Sequence, residues 1–307
     1  MTRPGSPRAG AVAEQNGHQA LDRKLLETRA DAPYSAVPRP FLRWAGSKRW
    51  LARQIVPFLP DKFRRYHEPF VGSGALFFLL NPDRASLNDK CSELIDVYTA
   101  IRDDVAAVSR HLKPLKPDRT LFYKTRSRCS PGRLKRAAEF IYLNKTCWNG
   151  LYRVNSEGRF NVPYGIPKTD FIADFGNLRE CARALQSTAV TLRSGDFEKA
   201  LQDVEPDDLV YLDPPYVTRH NNNGFVDYNQ TLFSWEDQKR LAKRACELSA
   251  AGAYVIVTNA NHGDVLKLYQ GFKTKTLARS STLAADPQSR VRVKEAVLYS
   301  PNCEGRG

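Results

Sequence analysis

The sequence predicts an α/β fold: an open sheet of mostly parallel strands wound with helices and interrupted by an inserted segment of helices and a hairpin. Three observations predict it. Short apolar runs that end on acids or small-residue turns alternate with amphipathic stretches at Tyr66–Gly74, Ser86–Asp89 and Asp208–Tyr216, the pattern of strands joined by crossover helices. Residues 110–185 break this rhythm with a basic, proline-punctuated stretch. From Ala189 the strand pattern returns. The expected organisation is a tail over 1–38, a sheet domain split into 39–109 and 186–307, and an insert over 110–185.

Residues 1–38 are rich in Pro, Gly, Ala and charge, which reads as a mobile tail with a short helix near Asp22–Thr28. Phe41–Lys48, FLRWAGSK, leads an apolar pair into Trp44, a tight Ala45-Gly46-Ser47 turn and Lys48. A small-residue turn that opens a helix presents backbone N–H groups to an anion. Arg49 to Leu59 has the amphipathic spacing of such a helix, ended by Pro60. Tyr66–Gly74, YHEPFVGSG, reads as a strand and a glycine turn, with an apolar helix starting at Ala75–Leu80. The glycines let a ligand approach the backbone. Phe77 stands where the third glycine of the dinucleotide fingerprint belongs, so that fingerprint is not matched. Asp89 ends the next strand, where an acid can accept ribose hydroxyls. Ser92 to Ile101 then reads as a helix. Strand, glycine turn, helix, strand and acid make half of a doubly wound nucleoside-binding fold.

In the insert, Leu134–Leu143 is helix-like, and Asn144–Gly150 leads into LYRVNSEGRFNVPYG. That stretch reads as a hairpin: Leu151–Val154, a turn over Asn155–Gly158, and Arg159–Val162. Residues two apart share a face, so Tyr152, Val154, Phe160 and Val162 can pack inward while Arg153, Arg159 and Asn161 face out. The chain has 47 Lys+Arg against 33 Asp+Glu, a net charge of +14, and residues 110–193 alone hold 17 basic against 6 acidic residues. A basic block laced with Tyr, Trp and Phe suits a polyanion. Arginine and asparagine suit bidentate contacts with guanine and adenine edges. Lys124, Arg126 and Arg128 lie in what reads as a flexible basic run, suited to phosphate contacts.

Ala189–Arg193 reads as a strand followed by Gly195-Asp196-Phe197. Asp208 to Leu212 reads as a short buried strand that stops at Asp213-Pro214-Pro215-Tyr216. Two prolines lack N–H donors and fix φ, so they cannot continue a central strand. The product is a rigid turn holding a carboxylate, free carbonyls and an aromatic ring at the strand end where open α/β sheets bind ligands. An exocyclic base amine is a poor nucleophile because its lone pair is delocalised. A carboxylate and a fixed carbonyl can each accept one of its N–H bonds, aim the lone pair and stabilise the developing positive charge. Taken alone, the tetrapeptide also fits a packed Pro-Pro turn. A polar loop follows at His220–Gly224, near the proposed site. Ser234–Ala250 reads as a helix with a capping box, Ala253–Asn259 as a buried strand, and Phe272–Leu277 with Glu295–Ser300 as a closing antiparallel pair. The linker within that pair carries Arg279, Arg290, Arg292 and Lys294, a second candidate for recognition.

FLRWAGSK, HEPFVGSGALFF, LNDK, NGLYRVN with FNVPYG, GDF and DPPY occur here in the order found in the Dam-type DNA adenine-N6 methyltransferases. Residues 40–300 resemble that family. The resemblance implies a seven-stranded Rossmann-like methyltransferase sheet with S-adenosylmethionine at the strand ends and a DNA-recognition insert. It implies that Trp44 and Lys48 line the donor site, that Glu68, Phe70, Gly72 and Gly74 shape its floor, and that Asp89 holds the ribose. Asp196 and Phe197 would flank the donor adenine, with Asp213 bordering the donor. Asp213, Pro214, Pro215 and Tyr216 would hold the target adenine, turned out of duplex DNA. No metal or covalent intermediate is needed. Two residues depart from the family pattern. Ser47 replaces the second glycine of W-A-G-G-K, and Glu157 sits in the hairpin turn where relatives often carry a basic residue, which bears on whether the target is GATC.

Two other readings stay open. The same fold could act on N4 of cytosine, on RNA or on a protein glutamine, or the chain could be a DNA-binding protein without catalysis. The six cysteines, Cys91, Cys129, Cys147, Cys181, Cys246 and Cys303, form no C-x-x-C pair, and the five histidines show no ligand spacing, which points to reduced thiols and no structural metal. The longest apolar run, Ala75–Leu80, is far below a membrane span. The expected partner is double-stranded DNA in the cytoplasm, associated with the nucleoid. A cognate restriction endonuclease, the oligomeric state and the target sequence are left open.

Overall fold

Seven strands form the central sheet of the computed structural model, which describes residues 17–31, 38–44, 51, 54–128, 130–167, 169–186, 189–216, 233–280 and 292–303. A small ribbon pairs β1 (Gln19–Ala20) with β2 (Lys62–Phe63). The sheet itself contains β3 (Tyr66–Glu68), β4 (Ala85–Asp89), β5 (Val190–Ser194), β6 (Leu209–Leu212), β7 (Tyr254–Ala260), β8 (Lys273–Ser280) and β9 (Arg292–Tyr299), in the order β5-β4-β3-β6-β7-β9-β8. The first five of that order run parallel, and β9 lies antiparallel between β7 and β8. Chain order reverses at β3, which has β4 on one side and β6 on the other. Such a switch point opens a crevice beyond the carboxyl ends of the strands.

The central strand β6 is apolar on both faces because helices cover both faces of the sheet there. Along β6, Leu209 and Tyr211 enter one hydrophobic cluster and Val210 and Leu212 the other. The first face is covered by α2 (Ala75–Leu80), α3 (Ser92–Leu112), α5 (Arg133–Thr146) and α6 (Phe175–Leu185). The second is covered by α7 (Phe197–Ala200), α8 (Trp235–Ala250) and α9 (Gly263–Leu266). In α8 the expected capping box is present between Ser234 and Asp237, and Leu241, Ala245 and Leu248 are buried. The closing antiparallel pair is present and longer than expected, as β8 and β9.

Three expectations are corrected. The tail expected over 1–38 is docked from Gln19 to Asp31. There β1 pairs with β2, α1 (Arg23–Asp31) buries Leu26, and the Arg23 guanidinium donates to the Leu59 carbonyl at 2.7 Å. Leu21 and Leu26 supply the apolar anchors. The helix expected over Ser92–Ile101 runs to Leu112. It breaks at Asp104 (φ −153°), whose carboxylate accepts from the Ala107 N–H and restarts the helix, so that Ala107, Val108 and Leu112 extend the buried stripe. The run expected to be flexible around Lys124 is α4 (Arg119–Arg126), capped by Asp118 and anchored by buried Phe122 and Thr125.

The insert's buried residues, among them Phe122, Ile141, Tyr142 and Val162, belong to the same cluster as the first sheet face. Its hairpin has one bridge, Val154 to Phe160, flanked by Asn155 N–H to Arg159 carbonyl at 2.9 Å and Asn161 N–H to Arg153 carbonyl at 3.0 Å. The Asn155 side chain accepts from the Glu157 and Arg159 N–H groups and holds the turn. Asn144 ties α5 to the segment before Trp44. Its carboxamide accepts from the Arg43 N–H at 2.8 Å and donates to the Arg43 carbonyl at 2.6 Å.

Candidate active site

The carboxyl end of β6 runs into Asp213-Pro214-Pro215-Tyr216, as expected, and β7 and β9 support that turn. Pairing of Leu212 with Val257 sets Thr258 level with Asp213. The Thr258 hydroxyl donates to Asp213 Oδ1 at 2.6 Å. The Tyr216 hydroxyl donates to Oε2 of buried Glu295, on β9, at 3.0 Å. Burial, together with the charges of Asp213 and Glu295, pushes the Tyr216 phenol well above its usual range, so it keeps the proton it donates.

Across the switch point, the glycine turn follows β3. Gly72 (φ +46°) and Gly74 (φ +66°) adopt left-handed backbone that favours glycine. A Cβ on Gly72 would come within 2.9 Å of Trp44 Cδ1. The Gly72 N–H donates to Asp89 Oδ2 and the Cys91 N–H to Asp89 Oδ1, each at 3.0 Å. Burial raises the Asp89 pKa against the opposing effect of these N–H groups. Asp89 therefore fixes the turn, and with the N–H groups of Gly72, Cys91 and Lys90 on its four acceptor sites the carboxylate keeps room for a ribose hydroxyl. Buried Glu68 accepts from the Tyr66 hydroxyl at 2.9 Å. Burial pushes Glu68 well above the carboxylate range, and the charges of Asp213 and Asp89 add to the shift. The three acids at the ends of β3, β4 and β6 thus share one electrostatic neighbourhood.

At the end of β5, Asp196 caps α7 through the Glu198 N–H and pairs with Arg240 at 3.1 Å. Phe197 is buried against Phe70, with ring centroids 5.5 Å apart, and the Arg240 guanidinium lies over its ring. Gly195, just before, has nothing within 4 Å of an added Cβ. An open floor beside an acid and a ring suits a nucleoside, and Asp89, expected to hold the ribose, lies one strand away. The residues at these strand ends fit S-adenosylmethionine. Trp44, expected to line that site, also stacks on Tyr152 and Phe140 of the insert, at 5.5 Å and 6.4 Å with 19° between planes. Lys48, Arg290 and the loop His220–Gly224 lie outside the described residues, and of Arg279 and Arg292 the backbone alone is described, at the loop ends of β8 and β9.

On the insert, Arg153 and Asn161 share a face as expected and bond at 2.7 Å. Arg159, 77% exposed, pairs with Glu157 at 3.2 Å. Lys124 and Arg128 are exposed. Arg126 is half-buried: it stacks over Tyr123 and donates to the Val162 carbonyl at 3.1 Å, joining α4 to the hairpin. Sequence reasoning missed Thr258, Glu295 and Asn88. Asn88 is buried, and its amide donates at 3.1 Å to the carbonyls of both Pro69 and Gly195, locking two turns together. Its place before the strand-end acid in LNDK was the available signal.

The sheet order, the glycine turn and the DPPY turn point to one group of enzymes. The model of the D12 class N6 adenine-specific DNA methyltransferases matches residues 44–283. The chain belongs to this family. It is 34% identical over 270 residues to the type II methyltransferase M1.LlaDCHI of Lactococcus lactis subsp. cremoris, covering 85% of this chain and 94% of that protein. It is 36% identical over 261 residues to the type II methyltransferase M.MjaIII of Methanocaldococcus jannaschii, covering 77% and 90%. A DNA adenine methylase of Haemophilus influenzae is 32% identical over 267 residues, covering 84% and 92%. The match spans the glycine turn, Asp89, the insert and the DPPY turn of this D12 methyltransferase. Among the described residues, no group of three or more His, Cys, Asp or Glu could hold a metal ion, and no helix is long and apolar enough to cross a membrane.

Proposed function

We propose that this methyltransferase modifies N6 of an adenine turned out of duplex DNA, at one short sequence read by the insert over 110–185. The observation that carries this reading is the tethered DPPY turn at the end of β6, facing the glycine turn of β3 across the switch point. Trp44, Glu68, Phe70, Gly72, Gly74, Asp89, Asp196 and Phe197 form or support the donor side. When bound, S-adenosylmethionine supplies a methyl group already activated on a sulfonium.

On the acceptor side, the Asp213 carboxylate and the Pro214 carbonyl each accept one N–H of the adenine amine. This turns the nitrogen toward tetrahedral geometry and stabilises positive charge as it develops there. Asp213 holds the amine proton by hydrogen bonding and need not be a strong base. Tyr216 offers a ring face to the flipped base, and its bond to Glu295 fixes the plane of that face. Arg153, Asn161 and Arg159 are the base readers, and Lys124 and Arg128 the phosphate contacts. The target is GATC or a related short site, with the Glu157–Arg159 pair as the reason for a departure from GATC. The type II names of two relatives favour a restriction-modification role beside a cognate endonuclease, with the protein acting on DNA in the cytoplasm.

The test is expression in a host whose DNA lacks adenine methylation, followed by base analysis and single-molecule sequencing. N6-methyladenine in one short context is expected. N4-methylcytosine, or no modified base, would overturn the reading.

A further inference from the structure

We infer that Thr258 is a positioning residue of the methyl-transfer site, holding the Asp213 carboxylate in the orientation in which it meets the acceptor amine. This rests on the adenine-methyltransferase reading above. Thr258 is fully buried in the middle of β7, and Oγ1 lies 2.6 Å from Asp213 Oδ1. A second hydroxyl, that of buried Tyr211, lies 3.2 Å from the same Oγ1.

Proton accounting gives this chain of groups a direction. An ionised carboxylate can only accept, and at 2.6 Å Asp213 is a much closer acceptor than the Leu212 carbonyl at 3.5 Å, so the single proton of Thr258 goes to Asp213. Tyr211 must then be the donor toward Thr258. Burial and the charge of Asp213 push the Tyr211 phenol well above its usual range, which keeps that proton in place. The order is Tyr211 to Thr258 to Asp213. It runs inside the sheet, where hydrogen bonds polarise one another and are not screened by water. The β-branched threonine is itself stiff at χ1, and both of its strand neighbours are buried apolar or amide residues, Val257 and Asn259.

An aspartate on a turn can rotate about Cβ–Cγ. Bonding one oxygen to a fixed strand fixes the plane of both, and a reacting amine depends on that plane because small misplacements cost rate steeply. Thr258 touches neither the methyl donor nor the base and acts through Asp213 alone. A structural role would leave a different trace, because it would move stability and donor binding together with rate.

The test compares the full-length protein with T258V, T258S and the double variant Y211F/T258V. The measurements are single-turnover methylation of a target duplex at saturating donor, KM for duplex, donor Kd by calorimetry, and melting temperature. T258V should lower the single-turnover rate by about tenfold to a hundredfold, the worth of a hydrogen bond to a charged group. KM and donor Kd should stay within about twofold. T258S, which restores the hydroxyl, should recover most of the rate. The double variant, which leaves no orphaned phenol, should melt near the wild-type temperature and remain slow. A T258V rate equal to wild type overturns the inference, as does equal loss in T258S or loss that follows donor affinity and melting. N6-methyladenine production by the wild type separates the two levels: its absence overturns the reading and the inference together, whereas wild-type activity with an unaffected T258V overturns the inference alone.

Discussion

Asp89 and Asp213 are both strand-end acids, yet their surroundings assign them different duties. Asp89 accepts the N–H groups of Gly72 and Cys91 and so holds the glycine turn in its left-handed geometry. Asp89→Ala should lower donor affinity on the order of tenfold to a hundredfold, from a charge-assisted bond of about 1.5–3 kcal/mol. Loss of the two turn contacts should lower the melting temperature as well. Calorimetry checks the first effect, and an unchanged Kd would take Asp89 out of the donor site. Asp213 accepts from Thr258 on β7, which lies on the side of β6 opposite the glycine turn of β3. Asp213→Ala should therefore abolish methylation while donor affinity stays close to wild type. Full activity in that variant would end the proposed role of the DPPY carboxylate.

At the scale of elements, the insert separates three kinds of basic residue. Arg153 and Arg159 stand on the hairpin, so their alanine variants should relax discrimination at single base pairs by about 1–3 kcal/mol. Lys124→Ala should weaken all duplexes alike and flatten the salt dependence. Arg126→Ala should instead loosen the hairpin, because its guanidinium holds the Val162 carbonyl. Methylation of singly substituted duplexes at two salt concentrations distinguishes these outcomes. If the Arg153 and Arg159 variants keep full sequence preference, recognition lies elsewhere, for example in the Arg279–Lys294 linker. The hairpin was legible because its alternation and its Asn155–Gly158 turn are local. The helix at Lys124 was not, because prolines and charge on both sides of it resemble a linker. Its signal was Asp118 three residues before Leu121, a side chain that caps the first turn. Helix α6 offered a better one, with Leu178, Cys181, Ala182 and Leu185 in a helical stripe.

Across the whole molecule, the end of the sheet away from the site carries a buried polar cluster. Asp208 accepts from His67 at 2.8 Å, from Arg64 at 3.0 Å and from the Glu205 N–H at 3.0 Å. Burial alone would raise the Asp208 pKa, but these bonds outweigh it and hold it below the usual value. Burial lowers the His67 pKa against the pull of Asp208. In both groups the unfolded chain binds protons more readily than the folded one. Stability is therefore fullest above the unfolded pKa values and falls with pH, first below 6.5 as unfolded His67 protonates and further below 3.8. Melting temperature measured from about pH 8 down to about pH 5 should fall, and His67→Gln should flatten the slope. A flat wild-type profile would exclude this linkage. The pairs that complete the site link distant positions: Tyr152 with Trp44, Thr258 with Asp213, and Glu295 with Tyr216. Contacts between residues so far apart leave no periodicity in a sequence, which is why the motifs were legible and their supports were not.

The place of β9 has a consequence in time. It is the last of the described strands, yet it lies inside the sheet, between β7 and β8. A chain leaves the ribosome N-terminus first. Both neighbours therefore wait with open edges, an invitation to wrong pairing, until residues 292–299 emerge. Glu295 arrives with them, the acceptor for the Tyr216 hydroxyl. The glycine turn, Asp89 and the insert are synthesised long before, so a nascent chain carries the proposed donor residues and the proposed reader before the Tyr216–Glu295 bond can form.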